Sequence, residues 1–261
     1  MTAAVAQRAV PSQAARVEYV LRLADTSLIL AQRLGEWVGH APALEEDLGL
    51  GNLALDFLGQ ARLLLTHVGQ LDGSNRTEDE LAFLRDGPAF RNFTLVEQPN
   101  GDFAHSIVRQ YFIDAWQVPL FEALASSADA DLAAIAAKSL KEAQYHHRFS
   151  SNWLLRLGDG TAESHARAQD AADTLIRFTR EMFEPDEVDR QNIEAGIGAD
   201  LAAVQAAWSA DARRVFAEAT LKLPEAPPGA PVGKRGDHSE YLGYILTDMQ
   251  FMQRAYPGAS W

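Results

Sequence analysis

The chain has 261 residues, 47% of them apolar, no cysteine, and a formal net charge of −13. That is enough apolar mass for a sizeable core, and the missing cysteines exclude disulfides, thiolate metal sites and a thiol nucleophile. The acidic balance lacks the basic footprint of a nucleic-acid binder and disfavours an anionic membrane surface.

No stretch approaches the roughly 18 apolar residues of a membrane helix, and Met1 to Val20 lack the apolar run of a signal peptide. The reading is a soluble, cytoplasmic protein. Alanine and leucine abound and β-branched runs are scarce, which favours helix over sheet.

Residues 1–14 are small and weakly patterned, a flexible lead-in to a single domain over 15–261. A helix is predicted from Ala15 to Val38, with Val17, Val20, Leu21, Ala24 and Leu28 on its apolar face, stopped by Gly39-His40-Ala41-Pro42. A second, from Ala43 to Leu71, is apolar on most faces, as in a helix inside a bundle. A short helix at Glu78–Arg85 and an irregular stretch through Pro99 follow. Asn100-Gly101-Asp102 is a turn and N-cap ahead of a helix from Phe103 to Ala125. After Ser126–Asp129 another helix runs to Leu157. Further helices are predicted near Glu163–Phe183, Asp200–Lys222 and Ser239–Tyr256. Glu184–Gly198 reads as acidic and irregular, and Pro224–Gly236 as a loop. Two long antiparallel pairs joined by a crossover of roughly thirty residues describe an all-α, ferritin-like four-helix bundle with additional C-terminal helices.

Each long helix carries an acid near its middle: Asp25, Asp56, Asp114 and Glu142. Asp25 lies about as far before the first turn as Asp56 lies after it, and Asp114 and Glu142 straddle the second turn likewise. Antiparallel hairpins would bring them to one level. Buried carboxylates need cations or protons there. A di-iron site needs an acid from two helices and Glu-x-x-His from the other two. That test fails: Asp56-Phe57-Leu58-Gly59 has no histidine, and Glu142-Ala143-Gln144-Tyr145 places tyrosine where it should stand. His146 comes one step late. Asp102-Phe103-Ala104-His105 has the spacing but sits at a helix start. Lys138, Glu142 and His146 share one i, i+4 row, so Lys138 is expected to replace the metal's charge in a vestigial polar network of Asp25, Asp56, Asp114, Lys138, Glu142 and His146.

Several unbroken motifs carry a resemblance. Gln32-Arg33-Leu34-Gly35-Glu36-Trp37, Leu58-Gly59-Gln60-Ala61-Arg62, Leu95-Val96-Glu97-Gln98-Pro99-Asn100-Gly101, Arg109 through Trp116, and Lys141-Glu142-Ala143 followed by Tyr145-His146 are among them. From about Val17 to Trp261 the sequence resembles the PaaC family, the C components of the phenylacetyl-CoA oxygenases, or epoxidases. The resemblance implies a ferritin-like, non-catalytic structural subunit with no cofactor in this chain. Its implied partners are a homologous catalytic A component holding the di-iron centre, a small B component and a reductase. The competing readings are a stand-alone di-iron oxidase and a generic ferritin-like binding protein. If the chain borders the acyl-CoA channel of the catalytic partner, then Arg91 with Asn92 and Arg190 with Asn192 are the loop residues expected to touch the nucleotide end.

Overall fold

A computed structural model describes residues 10–259. Most of the expected lead-in, residues 1–9, lies outside them. Ser12 Oγ accepts the Ala15 N–H at 3.2 Å and opens helix α1, Gln13–Gly35, two residues earlier than the periodicity predicts. Helix α2, Leu44–Leu71, begins with Glu45, Glu46 and Asp47, acids that complement the positive helix N-terminus. Asp47 also accepts the Gly39 N–H at 2.8 Å, tightening the α1–α2 turn. Asp102 caps α4, Phe103–Leu124, and Asp129 caps α5, Ala130–Gly158, each carboxylate accepting from the third residue on.

α1 packs chiefly on α2, and α4 on α5. The crossover between the pairs holds the short helix α3, Glu78–Phe83, and two 3-10 turns, Gly87–Ala89 and Thr94–Glu97. The four long helices share one core with Leu28, Leu53, Phe57, Leu64, Phe112 and Leu132 fully buried. Full burial of such a side chain contributes about 1.5–3 kcal/mol. This is the ferritin-like bundle, and no strand occurs among the described residues.

The C-terminal third wraps the α4–α5 pair. α6, Ala162–Leu175, and α8, Leu201–Glu218, lie on α4. Phe112 stacks on Phe216 at 5.9 Å, and Trp208 Nε1 donates to the Phe112 carbonyl at 3.0 Å. Gly158 marks the closest approach, since a Cβ there would lie 2.1 Å from the Ala219 carbonyl. α9, Glu240–Ala255, packs on α3 and α1. Among the described residues, no helix is long and apolar enough to cross a membrane.

Two predicted elements differ. The helix expected over Glu163–Phe183 stops at Leu175 and tightens into a 3-10 turn, Ile176–Met182, where Thr179 Oγ1 bonds the Ile176 carbonyl. The stretch read as irregular contains α7, Glu187–Glu194, capped by Asp186 and Asp189 in a capping box.

Candidate functional site

α2, α4 and α5 bring three of the four acids into a polar row through the core. His146 is fully buried on α5, and its Nε2 meets Asp56 Oδ2 at 3.0 Å across to α2. The same ring lies 4.9 Å from Phe57. Asp56 itself is half-exposed. Glu142 accepts from Gln60 Nε2 at 3.3 Å, and Gln60 Oε1 accepts from Gln117 on α4, also at 3.3 Å. Asp114 is fully buried and accepts from Gln110 Nε2 at 2.7 Å. Burial pushes the Asp114 carboxyl up to about 6, although the His146 imidazole and the Ser150 and Gln110 hydrogen bonds pull against it. Asp114 Oδ2, Gln110 Oε1, Gln117 Oε1, Ser139 Oγ and His146 Nδ1 find no partner among the described residues.

The fourth acid stands apart. Asp25 on α1 is fully buried and gripped by Arg85, with Arg85 Nη1 donating to Oδ2 at 2.9 Å and Nη2 to Oδ1. The Arg91 backbone N–H adds a third bond at 2.8 Å. The Arg85 guanidinium sits 4.2 Å over the Phe90 ring, so the crossover delivers both the cation and its apolar lid.

This corrects one expected member of the network. Lys138 is exposed and forms no salt bridge among the described residues. It shares a row with Glu142, but that stretch of α5 turns it to solvent, where a lysine keeps its hydration. The compensating cation is Arg85, separated from Asp25 by sixty residues of sequence.

The donors do not fit a di-iron centre. Asp25 is saturated by a guanidinium and a backbone amide. Gln60 and Gln117, neutral amides, occupy the space beside Glu142. His146 turns its Nε2 to Asp56, outside an acid-x-x-His pair.

The residues expected at a nucleotide are engaged inside the chain. Arg91 Nε bonds Glu18 at 2.8 Å, and its Nη1 bonds the Pro88 and Phe90 carbonyls. Asn92 is fully buried against Phe93 O and Glu97 Oε1. Asn192 is fully buried and ties the Ala15 and Val188 carbonyls. Arg190 lies at the surface, paired with Glu187.

A family model described as "Phenylacetic acid catabolic protein" matches residues 1–261. The chain belongs to the phenylacetic acid catabolic protein family. It is 52% identical over 243 residues to the C component of the 1,2-phenylacetyl-CoA epoxidase of Escherichia coli (strain K12), covering 93% of this chain and 98% of that protein.

In this family member three of the motifs that carry the resemblance, Gln32–Trp37, Leu95–Gly101 and Arg109–Trp116, form one lattice at the α1–α4 end. Arg33 donates to the Glu97 carbonyl through Nε and Nη2, and to Glu36 through Nη1. Arg109, fully buried, donates to the Gln98 carbonyl and Asn100 Oδ1, both at 2.6 Å. Trp37 Nε1 bonds Ser106 Oγ at 2.9 Å, and Asn100 Nδ2 bonds the Arg33 carbonyl at 2.8 Å. Glu97 itself is fully buried and takes Asn92, His238 and both donors of Ser239. Burial alone would lower the His238 pKa, but the Glu97 carboxylate outweighs it and the value is raised. The motifs therefore set the crossover and its docking to α9.

A second lattice leaves no mark in the sequence. Arg22, buried on α1, pairs with Asp186 at 2.9 Å and Asp189 at 3.3 Å, and Lys234 from the proline-rich loop reaches Asp189 at 2.9 Å.

Proposed function

We propose that the chain is the non-catalytic structural subunit of a multicomponent monooxygenase that epoxidises the ring of phenylacetyl-CoA. In that role it pairs with a homologous catalytic component that holds the di-iron centre. A further small component and a reductase complete the system, which serves aerobic phenylacetate breakdown. The observation that carries the reading is the core: a ferritin-like bundle with acids on all four helices, one held by Arg85, one meeting His146 and two bonded by glutamines. Such a core keeps the shape of a carboxylate-metal bundle without its donor set. The similarity to the C component of an epoxidase over nearly the whole chain points the same way.

A partner surface is available on α2. Leu44, Leu48, Leu55 and Leu58 are 69%, 60%, 66% and 43% exposed. Their spacing of 4, 7 and 3 residues puts them on one helical stripe. Gly59 lies beside that stripe with open space around it. Contiguous exposed leucines mark protein contacts more often than solvent faces. The half-exposed Asp56 opens close to the same surface.

The test is co-expression with the homologous di-iron component, followed by size-exclusion chromatography. The expected result is a stable hetero-oligomer for the wild type, lost in Leu48→Glu/Leu55→Glu with the melting temperature of the isolated chain unchanged. Co-elution of that double variant would remove α2 from the interface. A wild-type chain that never associates would remove the subunit reading.

A further inference from the structure

A second cluster of donors lies about three turns along α2 from Asp56, at the far end of the polar row, and takes no part in the pairing described above. It comprises His67, Asp129 and Asp131. His67, near the C-terminus of α2, is buried with 5% of its side chain exposed. Its Nε2 lies 2.9 Å from Asp129 Oδ2. Its Nδ1 has no hydrogen-bond partner among the described residues and faces Asp131 Oδ2 at 4.0 Å. Asp131 sits in the first turn of α5, with 76% of its side chain exposed.

The chemistry of Asp129 decides what His67 can do. Its Oδ2 also receives Arg16 Nη2 at 3.0 Å, and its Oδ1 receives the Leu132 N–H at 3.1 Å. Both carboxylate oxygens of Asp129 thus already accept, one of them from a guanidinium, so it faces His67 as an acceptor. His67 Nε2 must then donate to it, which leaves Nδ1 as the ring nitrogen free to ligate, and it faces Asp131. A carboxylate that fixes the tautomer of an imidazole whose other nitrogen faces a further donor is the usual outer shell of a metal-ligating histidine.

We infer that His67 Nδ1 and Asp131 Oδ2 form a binding site for a divalent transition-metal ion of the zinc class, with Asp129 as the orienting residue and water completing the shell. Nitrogen and oxygen donors suit that class better than calcium or magnesium. A tetrahedral ion needs its two donors about 3.4 Å apart. The exposed Asp131 carboxylate closes that gap by moving about half an ångström, whereas Asp129 ligates nothing, because Arg16 and Leu132 already saturate it. The bound ion clips the end of α2 to the start of α5, joining the two helical pairs where the polar row runs out.

The experiment is isothermal titration of the untagged, chelator-treated full chain with Zn²⁺, alongside Asp131→Asn and His67→Gln. The expected result is one ion per chain in the micromolar range. Asp131→Asn weakens binding by about tenfold or more, since even outer-shell losses cost that much. Its exposed position keeps the fold intact, so a folding defect cannot mimic the loss. Long-range ¹⁵N–¹H spectra should show the Nε2–H tautomer of His67 without metal and a shifted Nδ1 with Zn²⁺. Unchanged Zn²⁺ affinity in Asp131→Asn, no binding by the wild type, or a His67 ring carrying its proton on Nδ1 would each overturn the proposal. A di-iron spectrum insensitive to Asp131→Asn would instead count against the non-catalytic reading, so the two can fail separately.

Discussion

Asp114 and Asp25 are both fully buried acids, yet they are neutralised in opposite ways. Asp114 has the neutral donor Gln110 and, among the described residues, no cation in direct contact, and burial raises its carboxyl to about 6. An acid raised in the folded state binds protons that the unfolded chain has already released. It therefore costs stability above its folded pKa, and the cost fades as pH falls from 7 toward 4. The gap between 3.8 and about 6 converts to about 3 kcal/mol as an upper bound. Asp114→Asn should accordingly raise the urea midpoint at pH 7.5 and leave it nearly unchanged at pH 4.5. Equal gains at both pH values would show that packing, not charge, sets the difference. Asp25 instead has the guanidinium of Arg85 in direct contact. Arg85→Met should destabilise the chain by about 3–5 kcal/mol, because it strands a buried carboxylate. Arg85→Met/Asp25→Asn should recover most of that loss. Lys138→Ala should stay within about 0.5 kcal/mol, as for most surface changes.

At the scale of the elements, the sequence shows what local periodicity can carry. The four long helices are legible because their apolar stripes run for several turns and end at Gly39, Gly73 and Gly160 or at capping aspartates. The mid-helix acids are legible as breaks in those stripes. Their partners are not. Arg85 lies just past the end of α3 with no local mark, and only the folded crossover carries it onto α1. The i, i+4 row that suggests Lys138 is a true property of α5, but it does not say which side of the helix faces the core. α7 is hidden because eight residues with three acids have no apolar period. Its fixing groups, Arg22 and Lys234, lie far off in sequence. The asparagines 92 and 192 look like loop residues and are fully buried bridges between backbone segments. α7 gives a test of its own. Asp186 both caps it and pairs with the buried Arg22. Asp186→Ala should cost about 2–3 kcal/mol, more than the roughly 1 kcal/mol of a cap alone. A loss of only the smaller amount would mean that Asp189 and Glu18 suffice for Arg22.

For the whole molecule, the titrations set a stability window. Glu181 is pushed up to about 7 by burial, against the Thr94 and Lys234 bonds, and joins Asp114 in gaining stability as pH falls below 7. Asp211, opposed by burial but held at about 2 by His147 and Arg214, and Asp129 and Asp186, lowered further, act the other way. Their contribution is complete above the ordinary carboxylate range and is lost as pH falls through the folded values. The melting temperature should therefore peak at about pH 5–6. A peak above pH 8 would contradict this balance. The same core underlies the account's central claim: the bundle keeps the architecture of a carboxylate-metal centre with Arg85 and glutamines in place of its donors. The measurement that tests it most directly is iron quantification with Mössbauer spectroscopy on each component, separated after co-expression in ⁵⁷Fe medium. The expected result is a di-iron signal confined to the homologous catalytic component and none in this chain. About two irons per copy of this chain, with a coupled di-iron spectrum, would contradict it.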